Sequence, residues 1–146
     1  MEKAMTDTVN HLNSFLRGEL AAIETYRLAM NKLDHSQHRP VLQHCEQSHA
    51  MRARILEQEI RRRGGEPSEG SGPWGAFAKL VEGSAAIFGE KAAIAALEEG
   101  EDHGREDYRR DLPDLDPAAR LTIENEVMPE QNRTHQAMSS LKKTMS

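Results

Sequence analysis

Val9, Leu12, Leu16, Glu19, Ile23, Tyr26, Met30 and Leu33 recur at alternating intervals of three and four, which draws a single stripe down one face of a helix. Thr6, Asp7 and Thr8 precede the stripe and suit an N-cap, so the pattern predicts a helix over about 6–33. A polar loop over 34–39 leads to Pro40, which fits a first helical turn. The second stripe is Leu42, Glu46, His49, Ala53, Leu56 and Ile60, closed by Gly64-Gly65, and predicts a helix over about 40–63. Residues 64–73 are rich in Gly, Pro and Ser and read as loop; Trp74 opens a shorter apolar segment that Gly89 interrupts. A third long helix is expected over about 90–111 on Ile94, Leu97, Glu101, Gly104 and Tyr108. Pro113 and Pro117 bracket a tight connection capped by Asp116. A last helix, about 118–143, carries Leu121, Glu124, Met128, Gln131, His135 and Met138 inward. Strand-like alternation is nowhere visible, so the fold class is all-α.

Connection lengths then set topology. Short loops between the first two long helices and between the last two predict two antiparallel hairpins. The segment 64–89 is too long for a turn and reads as a crossover containing a short helix. Two hairpins joined by one long crossover form a ferritin-like up-down four-helix bundle, here a single domain over 1–146.

Composition narrows the functional classes. Hydrophobic residues make up 37% of the chain, aromatics 4% and charged residues 29%, a soluble, helix-favouring balance. A net charge of −5 gives no basic footprint for nucleic acid. The run Arg61-Arg62-Arg63 before Gly64 suits a helix C-terminus, where cations complement the helix dipole. The first residues carry no apolar run of the kind a secretory leader needs, and no stretch approaches the ~18 apolar residues of a membrane span. One cysteine, Cys45, excludes an intrachain disulfide. A cytoplasmic protein is expected.

The chemistry lies where polar residues interrupt the stripes. Glu19, Glu46, His49, Glu101 and His135 fall on the inward faces of four helices at similar height. Buried carboxylates cost several kcal/mol unless compensated, and the stripes themselves hold no Lys or Arg to pair with them. A pair of divalent cations would compensate them. Glu46 and His49 stand three apart, one turn on the same face.

The first and third long helices also repeat one another. Gly18-Glu19, Glu24 and Tyr26 recur at the same spacing as Gly100-Glu101, Glu106 and Tyr108. Such a repeat would build a two-fold pseudo-symmetric bundle with Glu19 facing Glu101.

The run from Leu12-Asn13 through Glu19-Leu20, Ala22-Ile23, Tyr26 and Leu28 resembles the first helix of bacterioferritins. Nearly the whole chain, with its Trp74-Gly75 crossover and Gly100-Glu101 helix, resembles a bacterial ferritin-like family known only as a domain of unknown function. The resemblance implies metal ligation by Glu19, Glu46, His49, Glu101 and His135, with Tyr26 and Tyr108 hydrogen-bonding beside the site. It also implies a second Glu-x-x-His on the last helix, but Asn132 stands three before His135. Glu130, Gln131 or no residue at all then supplies the sixth ligand, and Pro129 can shift the register there.

Two functions follow as expectations. The first is a di-iron protein that oxidises Fe(II), with zinc or manganese as alternative metals. The second is a degenerate, non-catalytic bundle acting as a structural or protein-interaction module, which the missing carboxylate favours. Metal ions are the expected partners, without nucleic acid or membrane. A homodimer is expected rather than a storage cage, since the sequence stops at Ser146 with no further helix.

Overall fold

In the computed structural model, residues 2–72 and 75–145 are described, and among them every regular element is helical: α1 (Glu2–Lys32), α2 (Arg39–Arg62), α3 (Gly75–Phe88), α4 (Glu90–Asp111), α5 (Pro117–Thr122) and α6 (Met128–Thr144). A 3-10 turn, Leu112–Asp114, follows α4, and a π-turn, Ile123–Val127, joins α5 to α6. The expected start of the crossover helix at Trp74 lies outside the described residues.

α1 begins about a turn before the predicted cap. Thr8 does not cap it: its side chain is fully buried and its Oγ1 accepts the backbone N–H of Asp116 at 2.9 Å. The end of α2 follows its glycines as expected. Gly64 takes φ 76°, its N–H reaches the Arg61 carbonyl at 2.9 Å, and the Gly65 N–H reaches Ile60 at 3.0 Å, the paired bonds of a Schellman motif. Gly65 must stay small, since a Cβ there would stand 2.8 Å from Val9 Cγ1. Arg63 forks onto Asp116 at 2.8 and 2.9 Å and also holds Glu59 at 2.7 Å. Asp116 in turn caps α5 by accepting the Ala119 N–H at 2.7 Å.

α1 packs along α2, and α4 along α6; α1 also meets α4, α2 meets α6, and α3 lies across both α1 and α4. Two apolar clusters fill the interior. One gathers Leu12, Leu16, Leu56, Ile60, Ile123 and Val127; the other gathers Met30, Leu42, Val81, Ile94, Leu97 and Met138. Between them on α1, α2, α4 and α6 lie the buried polar residues Glu19, His49, Arg52, Glu101, Gln131 and Thr134.

The last helical segment departs from its predicted face. Ala119, Ile123, Val127, Gln131, Thr134, Met138 and Leu141 are buried, whereas Leu121 is 59% exposed and Glu124 is exposed. The π-turn is the reason. It takes up one residue more than an α-turn, so three successive intervals of four stay on one face. Pro129 lacks the N–H for an α-helical bond to residue 125 and would clash with its carbonyl, which sites the turn.

Candidate functional site: a buried polar layer

The repeat between α1 and α4 shows itself as reciprocal hydrogen bonds. Tyr26 of α1 donates to Glu101 Oε2 of α4 at 2.6 Å, and Tyr108 of α4 donates to Glu19 Oε2 of α1, also at 2.6 Å. Each Tyr stands seven residues beyond the Glu of its own helix, two turns along the same stripe. The antiparallel crossing therefore sets each phenol against the opposite carboxylate.

α2 inserts two groups between the carboxylates. His49 touches Glu19 Oε1 through Nδ1 and Glu101 Oε2 through Nε2, the latter at 2.8 Å. One turn on, Arg52 has 0% exposure. Its Nε lies 3.5 Å from Glu19 Oε2, and its Nη2 donates to Thr134 Oγ1 at 3.1 Å. Thr134 passes the chain on by donating to Glu101 Oε1 at 2.7 Å, and Gln131 Nε2 donates to the Glu101 backbone carbonyl at 2.9 Å.

Electrostatics follow from these contacts. Burial pushes the Glu19 carboxyl up, but Arg52 and His49 outweigh it and hold the group below its ordinary range. Glu101 is likewise raised by burial and then held down to about 2 by His49 and Arg52. Burial and Arg52 both oppose charging His49, yet Glu101 and Glu19 leave it above the usual histidine range. A protonated His49 donates from both ring nitrogens. Its 2.7 Å approach to Arg52 Nη2 is then a contact between two donors, stabilised only by the carboxylates around it. Burial, then the facing carboxylates, push Tyr26 and Tyr108 well above the usual phenol range, so both remain donors. With His49 protonated, two carboxylates and two cations balance within the layer.

The ligand set expected from the sequence is only partly assembled. Glu19, His49 and Glu101 meet, and Tyr26 and Tyr108 donate to the two carboxylates. Glu46 does not join them: it is half-buried and held by Arg27 Nε at 2.9 Å. His135 turns aside to Asp102. Glu130 accepts from Ser48 at 2.9 Å and pairs with Arg133, while Gln131 holds Glu101. Among the described residues, no group of three or more His, Cys, Asp or Glu side chains is disposed to hold a metal ion. The premise that nothing basic pairs the buried carboxylates is corrected by Arg52. The sequence signal for it is faint: Arg52 stands three after His49 and beside Ala53, at the margin of the stripe. Thr134 likewise adjoins His135, and the π-turn rotates it inward.

Fold and site together define an all-helical protein closed around a hydrogen-bonded layer of buried ionisable groups. The chain belongs to the family described as domain of unknown function (DUF2383), whose pattern matches residues 7–113. Glu19, His49, Arg52, Glu101 and Tyr108 fall within that match. No curated protein and no solved structure matches the chain.

Proposed function

We propose that the chain is a ferritin-like bundle whose central site uses the guanidinium of Arg52 in place of metal, and that it serves as a non-catalytic structural or protein-interaction module. In this reading α1–α2 and α4–α6 are the two hairpins, joined by the crossover that carries α3. The observation that carries it is the complete burial of Arg52 among Glu19, His49 and Thr134.

A di-iron centre does not fit the side chains as they are disposed. Divalent ions beside Glu19 and Glu101 would meet a fixed cation in low dielectric, where like charges repel strongly. Glu46 and His135 would have to leave Arg27 and Asp102. The carboxylates already have their compensation, so the layer acts as a polar key that fixes how four helices register.

The competing reading, Fe(II) oxidation at a metal centre, keeps one supporting fact: Glu19, His49 and Glu101 converge. Elemental analysis separates the two. Protein purified without chelator is expected to hold well under one iron, zinc or manganese per chain. Its melting temperature is expected to be unchanged by adding Fe(II), Zn(II) or Mn(II). Arg52→Met, which leaves two buried carboxylates with one cation, is expected to lose about 3–5 kcal/mol of stability in urea unfolding. A stoichiometric metal that Glu101→Gln abolishes would overturn the proposal.

A further inference from the structure

α3 carries apolar side chains on two opposite sides. Ala78, Val81 and Ala85, at intervals of three and four, are buried against the bundle. Leu80, Gly83 and Ile87 repeat those intervals two residues later, which turns them about 200° around the helix, and Phe88 adjoins them. Leu80, Ile87 and Phe88 are each at least two-thirds exposed, and a Cβ built at Gly83 would meet nothing within 4 Å. Of the five large apolar side chains exposed among the described residues, these are three; the others, Met5 and Leu121, lie singly on α1 and α5. A helix apolar on opposing sides is normally buried between two layers, and here the outer layer is missing.

Area and charge bear on what would cover it. The three exposed side chains present roughly 400 Å² of apolar surface, the size at which a patch on a monomer marks a contact site. That is about half of the ~800 Å² that each partner buries in a standard interface, close to the apolar share such interfaces carry. Lys79 and Glu82 are the only charged residues of α3 and they cancel. The face therefore has no sign with which to draw a charged partner or an anionic membrane, and two copies of it meet without a like-charge penalty.

The stripe is also complementary to itself. Leu80 and Phe88 stand four residues to either side of position 84. A two-fold axis there reverses one helix on the other and sets Leu80 against the partner's Phe88. Ile87 then comes over the open space at the partner's Gly83, and the two helix dipoles run antiparallel.

We propose that the outer face of α3, formed by Leu80, Gly83, Ile87 and Phe88, is the contact of an isologous homodimer in which two copies of this chain cross antiparallel. The dimer names a partner for the interaction module proposed above and rests on that reading for its role, while the contact uses no residue of the polar layer.

Sedimentation of the full chain from about 1 to 500 μM tests the contact, with reversible dimerisation expected at a Kd on the order of 10 μM. Ile87→Lys and Gly83→Arg are each expected to weaken association at least about 100-fold. The dilute monomer keeps its helicity in both, because Ile87 is exposed and Gly83 faces open space. Mixing Gly83→Arg with Ile87→Glu is expected to restore a dimer that neither forms alone, since the antiparallel crossing sets position 83 of one copy against position 87 of the other. A monomer at every concentration, a dimer indifferent to both single variants, or a mixture that stays monomeric would overturn the proposal. So would growth beyond two copies, or binding to phosphatidylcholine–phosphatidylglycerol vesicles that Ile87→Lys abolishes with no dimer formed. Elemental analysis of the same sample keeps the two readings apart. Stoichiometric metal sinks the metal-free reading and leaves the dimer standing, whereas a metal-free protein that never dimerises sinks this inference alone.

Discussion

At the scale of single residues, the layer between the two apolar clusters is a problem of charge balance, and pH is the variable that unbalances it. His49 faces Glu19, Tyr26, Arg52 and Glu101. Its folded pKa is raised, so its contribution is fully present below the unfolded value of about 6.5 and is lost as pH rises through the folded value. Glu101 runs the other way. With a folded value of about 2 against about 4.3 unfolded, it contributes above about 4.3 and is lost as pH falls toward 2. Stability measured by urea unfolding is therefore expected to be greatest between the two windows. In His49→Gln the decline toward alkaline pH is expected to flatten relative to the parent. Equal pH slopes in parent and variant above pH 6.5 would show that His49 is not charged in the folded protein. Glu19, Tyr26, Glu101 and Tyr108 could be read from sequence because α1 and α4 keep a regular three-four stripe through them. Arg52 could not, because a long cation at the stripe's edge reads as solvated; only the small neighbours Ala50 and Ala53 and the facing carboxylates draw it in.

At the scale of elements, α2 and α4 ended within a residue of their predicted bounds because glycine and proline punctuate them. The segment after Pro117 was legible as helical but not in its facing, since a strict three-four stripe assumes unbroken α-geometry. Its buried positions follow intervals of four, four, four, three, four and three. Removing one residue from the π-turn would convert them to alternating fours and threes, the period of a regular helix. Deleting the exposed Asn125 should therefore leave every buried side chain on its face. The remaining conflict is Pro129, which would then sit in α-geometry at a cost of about 3 kcal/mol. The deletion alone is expected to destabilise by about that amount, and combining it with Pro129→Ala is expected to recover most of the loss. By contrast, deleting the exposed Gln136 lies outside the π-turn. It turns Met138 and Leu141 about 100° away from the core, and Pro129→Ala cannot repair it. If the Asn125 deletion unfolds the chain with or without Pro129→Ala, the π-turn is not the inserted residue described here.

For the whole molecule, the four long helical segments and the crossover helix do not share stability equally. α1 buries side chains on adjoining faces, against α2 and against α3 and α4, and α2 buries Leu42, Leu56 and Ile60 completely. Among the described side chains of α3, those buried are small, Ala78, Val81 and Ala85, while Leu80, Ile87 and Phe88 are 67%, 74% and 73% exposed. At about 25 cal/mol per Å² of apolar area removed from water, the described large side chains of α3, Leu80, Ile87 and Phe88, gain little from docking. Gly89, with φ 84°, separates it from α4, so α3 can detach without bending a continuous helix. Regions with few buried contacts open by themselves, below the free energy of global unfolding. Native-state hydrogen exchange is accordingly expected to show α3 amides opening at a lower free energy than those flanking His49 in α2 or Glu101 in α4. Val81→Ala removes part of the largest described buried side chain of α3. It is expected to speed exchange throughout α3 while changing α2 amides by less, since the latter report the polar layer and both apolar clusters. Equal acceleration of α2 and α3 would mean that the crossover helix and the bundle open as one cooperative unit. Val81 would then belong to the global core rather than to a locally docked helix.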